Sequence, residues 1–398
     1  MKSIRTAAIA AITTFSLSSA VDAAPLDPNA FAAIGTLGGG AIVIDTDALT
    51  VNGGGGGILV PQGGAPFGQQ SGGPPDIAVF SFGGGSVLGD VTITGSRAAT
   101  ILFRGAGTLT GTIDVSGQSV GNTSIGGASA LGGGGGGVGE PFGFGTPDGF
   151  GPGGGNGGTT AANIGSRGPG SGGGFGTAGG DAGAGTGFQN GGVGYGDIVA
   201  QLTGGSGGGG GGGHFNGINV SHGGGGGAGG GALEIGALTD LILTGATLSA
   251  DGGDGGARVT LDGGGQVDAV ASGPGGGGGS GGGILLHGFN ISIDAASLIT
   301  ANGGDGGWAG LFETPDGSCG GGGRIAVISN TAGSQTVDGT VEANAGSSGQ
   351  GVACNFFSTP LFLTDPEIGE GSVIAMSAPA SFALLGMGLG FMAWRRRR

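Results

Sequence analysis

Residues 281–307, GGGILLHGFNISIDAASLITANGGDGG, hold the pattern from which the rest of the chain is read. Residues 229–256, GGGALEIGALTDLILTGATLSADGGDGG, repeat its glycine opening, its two apolar runs and its closing Gly-Gly-Asp-Gly-Gly. A looser third copy begins at Gly321, where GGGRIAVISN is followed by TVDGTVEAN over residues 336–344 and by further glycine. Within the second unit Phe289, Ile291 and Ile293 alternate with Asn290, Ser292 and Asp294, the two-residue period of a strand with one buried face. Leu233, Ile235, Leu241, Leu243 and Leu248 serve the first unit, and Ile325, Val327, Val337 and Val341 the third. A unit with one narrow apolar face cannot fold alone, but stacked on neighbours about 4.8 Å away it buries a continuous core. The expected fold is therefore all-β, a parallel β-helix-like solenoid. Its glycine-rich stretches would be loops leaving one side of the stack, at irregular spacing.

Earlier in the chain the same signals recur. Residues 41–45, 49–52, 58–60 and 77–82 are short apolar runs separated by Gly, Pro and Asn. Over residues 90–115, Val91, Ile93, Ile101, Phe103, Leu109, Ile113 and Val115 are expected to share a buried face, with Asp90, Thr92, Thr112 and Asp114 outward.

Glycine accounts for 115 of 398 residues and charged residues for 9%, which excludes an ordinary globular composition. The absence of a strict three-residue period excludes collagen. Six of the 11 basic residues are Lys2, Arg5 and Arg395 to Arg398; the body between the ends keeps 5 Arg against 25 acids, a net charge of −20. Such a body lacks the cationic footprint that a phosphate backbone requires, and no nucleic acid partner is expected.

Residues 118–228 form a glycine-rich, low-complexity insert between an N-terminal β-repeat region (24–117) and the C-terminal units (229–372). Pure glycine runs occur at 132–137, 207–213 and 223–227. Ordering glycine costs about 0.5–1 kcal/mol per residue more than alanine and adds no side chain to bury, which favours a structureless insert. The alternative is that the runs lie side by side as extended three-fold helices, which have no internal hydrogen bonds and must find partners between runs.

Both ends carry address signals. Lys2 and Arg5, the apolar residues 7–17 and the small residues around Val21-Asp22-Ala23 describe a secretory signal over residues 1–23, cleaved before Ala24. Residues 373–394, VIAMSAPASFALLGMGLGFMAW, form the one long apolar run of helical character, followed by Arg395, Arg396, Arg397 and Arg398. As a helix it would reach about 33 Å, enough to cross a hydrocarbon core, with the arginines cytoplasmic. An ordinary transmembrane anchor is one reading. The order of Ser377-Ala378-Pro379-Ala380, a glycine-interrupted apolar helix and a terminal arginine cluster resembles the PEP-CTERM sorting signal of Gram-negative bacteria. The resemblance covers residues 373–398 and departs at the core, where Ser-Ala-Pro-Ala stands in place of Pro-Glu-Pro. It implies processing by an exosortase, or a rhomboid-like protease in a related tail type, and a link to exopolysaccharide and biofilm. The body more loosely resembles glycine-rich β-repeat segments of bacterial surface and adhesin-like proteins, which implies surface exposure.

Residues with the chemistry for catalysis are few. Ser206 and Ser280 each complete a G-x-S-x-G pattern, but glycine content generates such matches by chance, and neither lies on the strand-to-helix turn that a nucleophile elbow needs. His214, His222 and His287 have no metal-ligand spacing and read as polar loop residues. Asp251, Asp254 and Asp305 occupy corresponding turns of two units, where stacking would align them with Asn302; they are solvated turn acids or weak calcium ligands. Cys319 and Cys354 both follow the export signal and are expected to form a disulfide in an oxidising compartment. The sequence thus points to an exported, non-enzymatic structural or adhesive protein with no cofactor, contacting exopolysaccharide, other matrix components or its own copies through edge strands. Its membrane contact would be through the C-terminal helix alone, before processing. The alternative is a polysaccharide- or calcium-binding module anchored in the inner membrane.

Overall fold

The computed structural model describes residues 25–52, 54–61, 76–139, 147–159, 168–183, 188–215, 220–257, 273–309, 316–351, 354 and 360–364. The expected signal (1–23), the sorting motif Ser377 to Ala380 and the cluster Arg395 to Arg398 lie outside them. The described chain is all-β: a single 3-10 turn, Pro28–Ala30, precedes twenty short strands, and no helix is long and apolar enough to cross a membrane.

The first strands are β1 (Ile42–Asp45), β2 (Thr50–Val51), β3 (Gly54–Gly55) and β4 (Ile58–Pro61). Two passes follow, β5 (Asp76–Phe82), β6 (Ser86–Leu88) and β7 (Val91–Thr94), then β8 (Ala98–Phe103), β9 (Gly107–Leu109) and β10 (Thr112–Asp114). Within the insert stands a small antiparallel pair, β11 (His214–Phe215) with β12 (Val220–Ser221). The repeated units supply β13 (Ala232–Leu243) with β14 (Thr247–Ser249), β15 (Gly283–Ile293) with β16 (Leu298–Thr300), and β17 (Arg324–Ser329) with β18 (Gln335–Val337) and β19 (Thr340–Glu342). The last strand is β20 (Leu361–Thr364).

Each pass runs through one sheet and then the other. The larger, ten-stranded sheet has the path β20-β17-β15-β13-β8-β5-β4, with β6, β9 and β18 attached beside it. The eight-stranded sheet has the order β19-β16-β14-β10-β7-β1-β2-β3. Both are mixed: the ladders between passes are parallel, while β2, β3 and β4 close the N-terminal end with antiparallel pairs.

The register explains the core. Phe80, Ile101, Ile235, Leu286 and Val327 are successive partners across the larger sheet. Ile42, Val91, Ile113, Leu248 and Ile299 are their counterparts across the smaller one. Both rows point into one apolar cluster between the sheets. A slip of one residue would turn an entire row outward, so the alternation specifies the register. The shared face expected for residues 91–115 is this inner face, with Ile93 at its partly buried margin. The larger sheet is also buried on its outer face, where Ile77, Val79, Ala98, Leu102, Leu285 and Ile328 pack beneath Leu26, Phe31, Ile198 and Leu202. Strands covered on both faces lose the apolar–polar alternation, which is why residues 77–82 read as a continuous apolar run.

The glycine-rich segments are built into the same body. Along residues 205–212 the backbone N–H groups point in three directions with a period of three residues. Gly205, Gly208 and Gly211 donate to the carbonyls of Gly230, Gly227 and Gly224; Gly207 and Gly210 to those of Phe150 and Pro147; Gly209 and Gly212 to those of Ser171 and Gly168. The carbonyls in turn accept from Gly134 and Gly137, from Gly155 and Gly158, and from Ser280 and Gly277. One run therefore touches six others. A three-residue period without internal bonds is that of an extended three-fold helix, so the described runs follow the second of the two readings of the insert. Glycine is required here by close approach: a methyl group on Gly208 would overlap the Gly277 carbonyl, and one on Gly277 the Ser171 carbonyl.

The stretches between later units join this layer as well. Residues 250–256 lead out and 276–282 return antiparallel, with Gly276, Gly279 and Gly282 donating to Gly256, Gly253 and Ala250. Residues 301–307 and 317–323 do the same. These stretches are paired runs in a hydrogen-bonded layer and not the loops expected from the sequence.

Candidate functional site

The expected calcium ligands sit on the outgoing runs, which stack in parallel. Gly252 donates to the Asn302 carbonyl at 2.7 Å and Gly255 to that of Asp305 at 2.8 Å; Gly303 and Gly306 continue to Asn344 and Ser347. The side chains follow the same stacking. Asp251 accepts from the Asn302 N–H at 2.6 Å and the Thr300 hydroxyl at 2.9 Å, and Asn302 Oδ1 accepts from the Asn344 N–H at 2.8 Å. Beside them Asp254 accepts from the Asp305 N–H at 2.8 Å, and Asp305 accepts from the N–H and hydroxyl of Ser347 at 2.6 and 2.8 Å. Ser116 and Ser119 begin the two ladders, accepting from the N–H groups of Asp251 and Asp254.

Each of these side chains thus satisfies a backbone donor on a neighbouring run, donors that an extended run cannot satisfy within itself. Asp251 aligns with Asn302, and Asp254 with Asp305, in two separate ladders and not as one cage. Among the described residues no group of three His, Cys, Asp or Glu side chains is placed to hold a metal ion. Burial raises the carboxyl of Asp251 above the usual carboxylate value, against the bonds from Asn302 and Thr300, and the nearby Asp114 and Glu342 push the same way as burial.

Ser206 and Ser280 are fully buried in the glycine layer. The Ser206 N–H donates to Ser280 Oγ at 2.8 Å, and Ser206 Oγ donates to the Tyr195 hydroxyl at 2.8 Å while accepting from the Gly153 N–H at 3.1 Å. Both lie in extended runs. Their hydroxyls tie neighbouring runs together.

The histidines require a correction. His287 is not a loop residue: it lies within β15, 1% exposed, its Nε2 3.0 Å from Glu234 Oε1 on β13. Reading it as a loop residue overlooked the strand alternation Ile284, Leu286 against Leu285, His287, and the second cover that buries that face. His214 lies in β11 opposite Ser221, and His222 follows β12, half-buried. Glu234 was missed altogether. The available signal was an acid flanked by Leu233 and Ile235 near the start of the run Ala232 to Leu243.

Cys319 and Cys354 are joined, with Cα atoms 6.4 Å apart. Cys319 lies in the returning run 317–323, and the Gly180 N–H donates to its carbonyl at 2.9 Å, so the bond fastens the last outgoing segment to the layer at a place the insert also reaches.

No family model, curated protein or solved structure matches this chain.

Proposed function

We propose that this is an exported, non-enzymatic structural or adhesive protein of the cell surface or extracellular matrix, associated with exopolysaccharide. Its body is read as a parallel β-helix-like solenoid whose one side is continued by the glycine layer. The in-register parallel ladders from β5 through β17 support the solenoid reading. The observation that carries the functional reading is the use made of the polar side chains. The acids of the outgoing runs and the serines of the glycine layer, residues with reactive chemistry, are engaged in run-to-run hydrogen bonds. Polar groups deployed that way build a rigid body, whereas a reaction needs them converging on a substrate.

Export, sorting by an exosortase-type enzyme at Ser377-Ala378-Pro379-Ala380, retention of the arginine cluster on the cytoplasmic side and release to the surface rest on the two terminal sequences. Self-association would use the edge at β19 and β20, where Leu361 and Phe362 are exposed. The test is the intact mass of native protein recovered from membrane and extracellular fractions. The expected species lacks residues 1–23 and the segment after about Ser377 and lies outside the inner membrane. A full-length C-terminus confined to the inner membrane would replace the proposal with an anchored periplasmic module.

A further inference from the structure

We infer that the outgoing run 301–307 and its continuation to Trp308 form a binding strip for a neutral polysaccharide, with the indole as apolar platform and Asn302 and Asp305 as polar contacts. The inference rests on the proposed association with exopolysaccharide and gives that association a place and a ligand class. The three-residue period of the run sets these side chains on one side. Gly303 and Gly306 donate to the carbonyls of Asn344 and Ser347, and Gly304 and Gly307 to those of Gly279 and Gly276, so residues 302, 305 and 308 take the third direction. That direction is the open one: Asp305 and Trp308 are exposed and Asn302 half-buried, whereas Gly304, Gly306 and Gly307 between them are buried.

Trp308 is 45% exposed. A single exposed apolar side chain means little by itself; what distinguishes this one is the pair of polar groups in line with it. Asp305 Oδ1 accepts both bonds from Ser347, and Asn302 Oδ1 accepts from the Asn344 N–H, which fixes the two side chains. Among the described residues Asp305 Oδ2 and Asn302 Nδ2 have no hydrogen-bond partner. A pyranose ring fits that set: its C–H face is apolar and lies on an indole, while its hydroxyls donate to a carboxylate and accept from an amide N–H. An aromatic surface with a few polar groups held in place by a rigid layer is the general make-up of a binding site. Charge selects among saccharides. Asp251 and Asp254 stand on the adjacent run, in a body that keeps 5 Arg against 25 acids, so a uronate or sulfated chain is repelled and a neutral one is not.

Affinity electrophoresis of the full chain tests this, in native gels holding either the neutral or the acidic fraction of the host's own exopolysaccharide, separated by anion exchange. The neutral fraction should retard the wild-type chain and the acidic fraction should not. Trp308→Ala should weaken affinity for the neutral fraction about tenfold or more, and Trp308→Phe, which keeps a ring, should retain most of it. Asp305→Asn, which keeps an acceptor for Ser347, should weaken it severalfold. Both positions are exposed, and an unchanged Tm marks each variant as folded. Retardation by the neutral fraction that Trp308→Ala leaves intact would overturn the strip while the association with exopolysaccharide stands. Binding to the acidic fraction alone, or to neither, would also overturn the strip; matrix placement is decided separately, by the intact mass of the native protein.

Discussion

Asp251 occupies the position that Asn302 and Asn344 occupy on the next two outgoing runs, although its environment favours a neutral group. Its carboxyl is raised by burial, so its ionisation opposes folding at neutral pH, and this opposition fades as pH falls through its raised folded value towards the ordinary 3.8. Asp251→Asn keeps an acceptor for the Asn302 N–H without the charge. Thermal unfolding at pH 7 should show a gain of the order of 0.5–1 kcal/mol, shrinking to nothing below pH 3.8. Asp294 has the opposite sign. Its carboxyl is lowered by the Gly245 N–H first and then by Ser297, so the stability it contributes is present above 3.8 and is lost as pH falls through its depressed folded value. Asp294→Asn should therefore flatten the acid limb of the stability–pH curve. The alignment of Asp251 with Asn302 was legible in the sequence, because the two units end in the same Gly-Gly-Asp-Gly-Gly. That the side chains bond backbone N–H groups was not, since it depends on the distance between stacked runs. Glu234 and His287 were hidden for a related reason: their burial comes from Leu26 and Leu202, distant segments whose cover no local pattern announces.

Among the elements, the strands were the legible part. Val91, Ile113, Ile291 and Ile293 alternate with polar neighbours and lie on the face that the two-residue period assigns. The glycine runs carry no such side-chain signal, and their order comes from backbone bonds to runs far away in the sequence, as between Gly209 and Gly277 or Ser318 and Gly170. Close approach gives that order a clear mutational test. Gly208→Ala places a methyl against the Gly277 carbonyl and should destabilise by more than about 2 kcal/mol in denaturant titration. Gly121→Ala is the matched control: nothing lies within 4 Å of its added Cβ, so the change should be neutral, or stabilising by about 0.4–1 kcal/mol through the unfolded chain. Equal effects at the two positions would mean that the runs are not packed. The Cys319–Cys354 bond closes a loop with a sequence separation of 35 between the last returning run and the segment beyond β19. Reduction should lower stability by about 3–4 kcal/mol, read as a fall in Tm with dithiothreitol that Cys354→Ser reproduces.

For the whole molecule, glycine content has two consequences that pull in opposite directions. Each ordered glycine gives up more chain entropy than any other residue, while its missing side chain lets six runs surround one and pair their backbone groups. Among the described residues the balance falls to order, because the apolar core between the sheets fixes the points from which the outgoing and returning runs start, as at Ala250 and Gly282. A rigid acidic body with its polar groups turned to internal stacking suits a load-carrying or surface role, which is why matrix placement is proposed. Amide hydrogen exchange across residues 205–212 and 276–282 of the full chain, measured against the β13 and β15 strands, tests the ordered glycine layer most directly. Protection comparable to the strands is expected, since each N–H is bonded to another buried run. Exchange at the rate of an unstructured peptide in both runs, with β13 and β15 still protected, would contradict the layer and return these segments to loops.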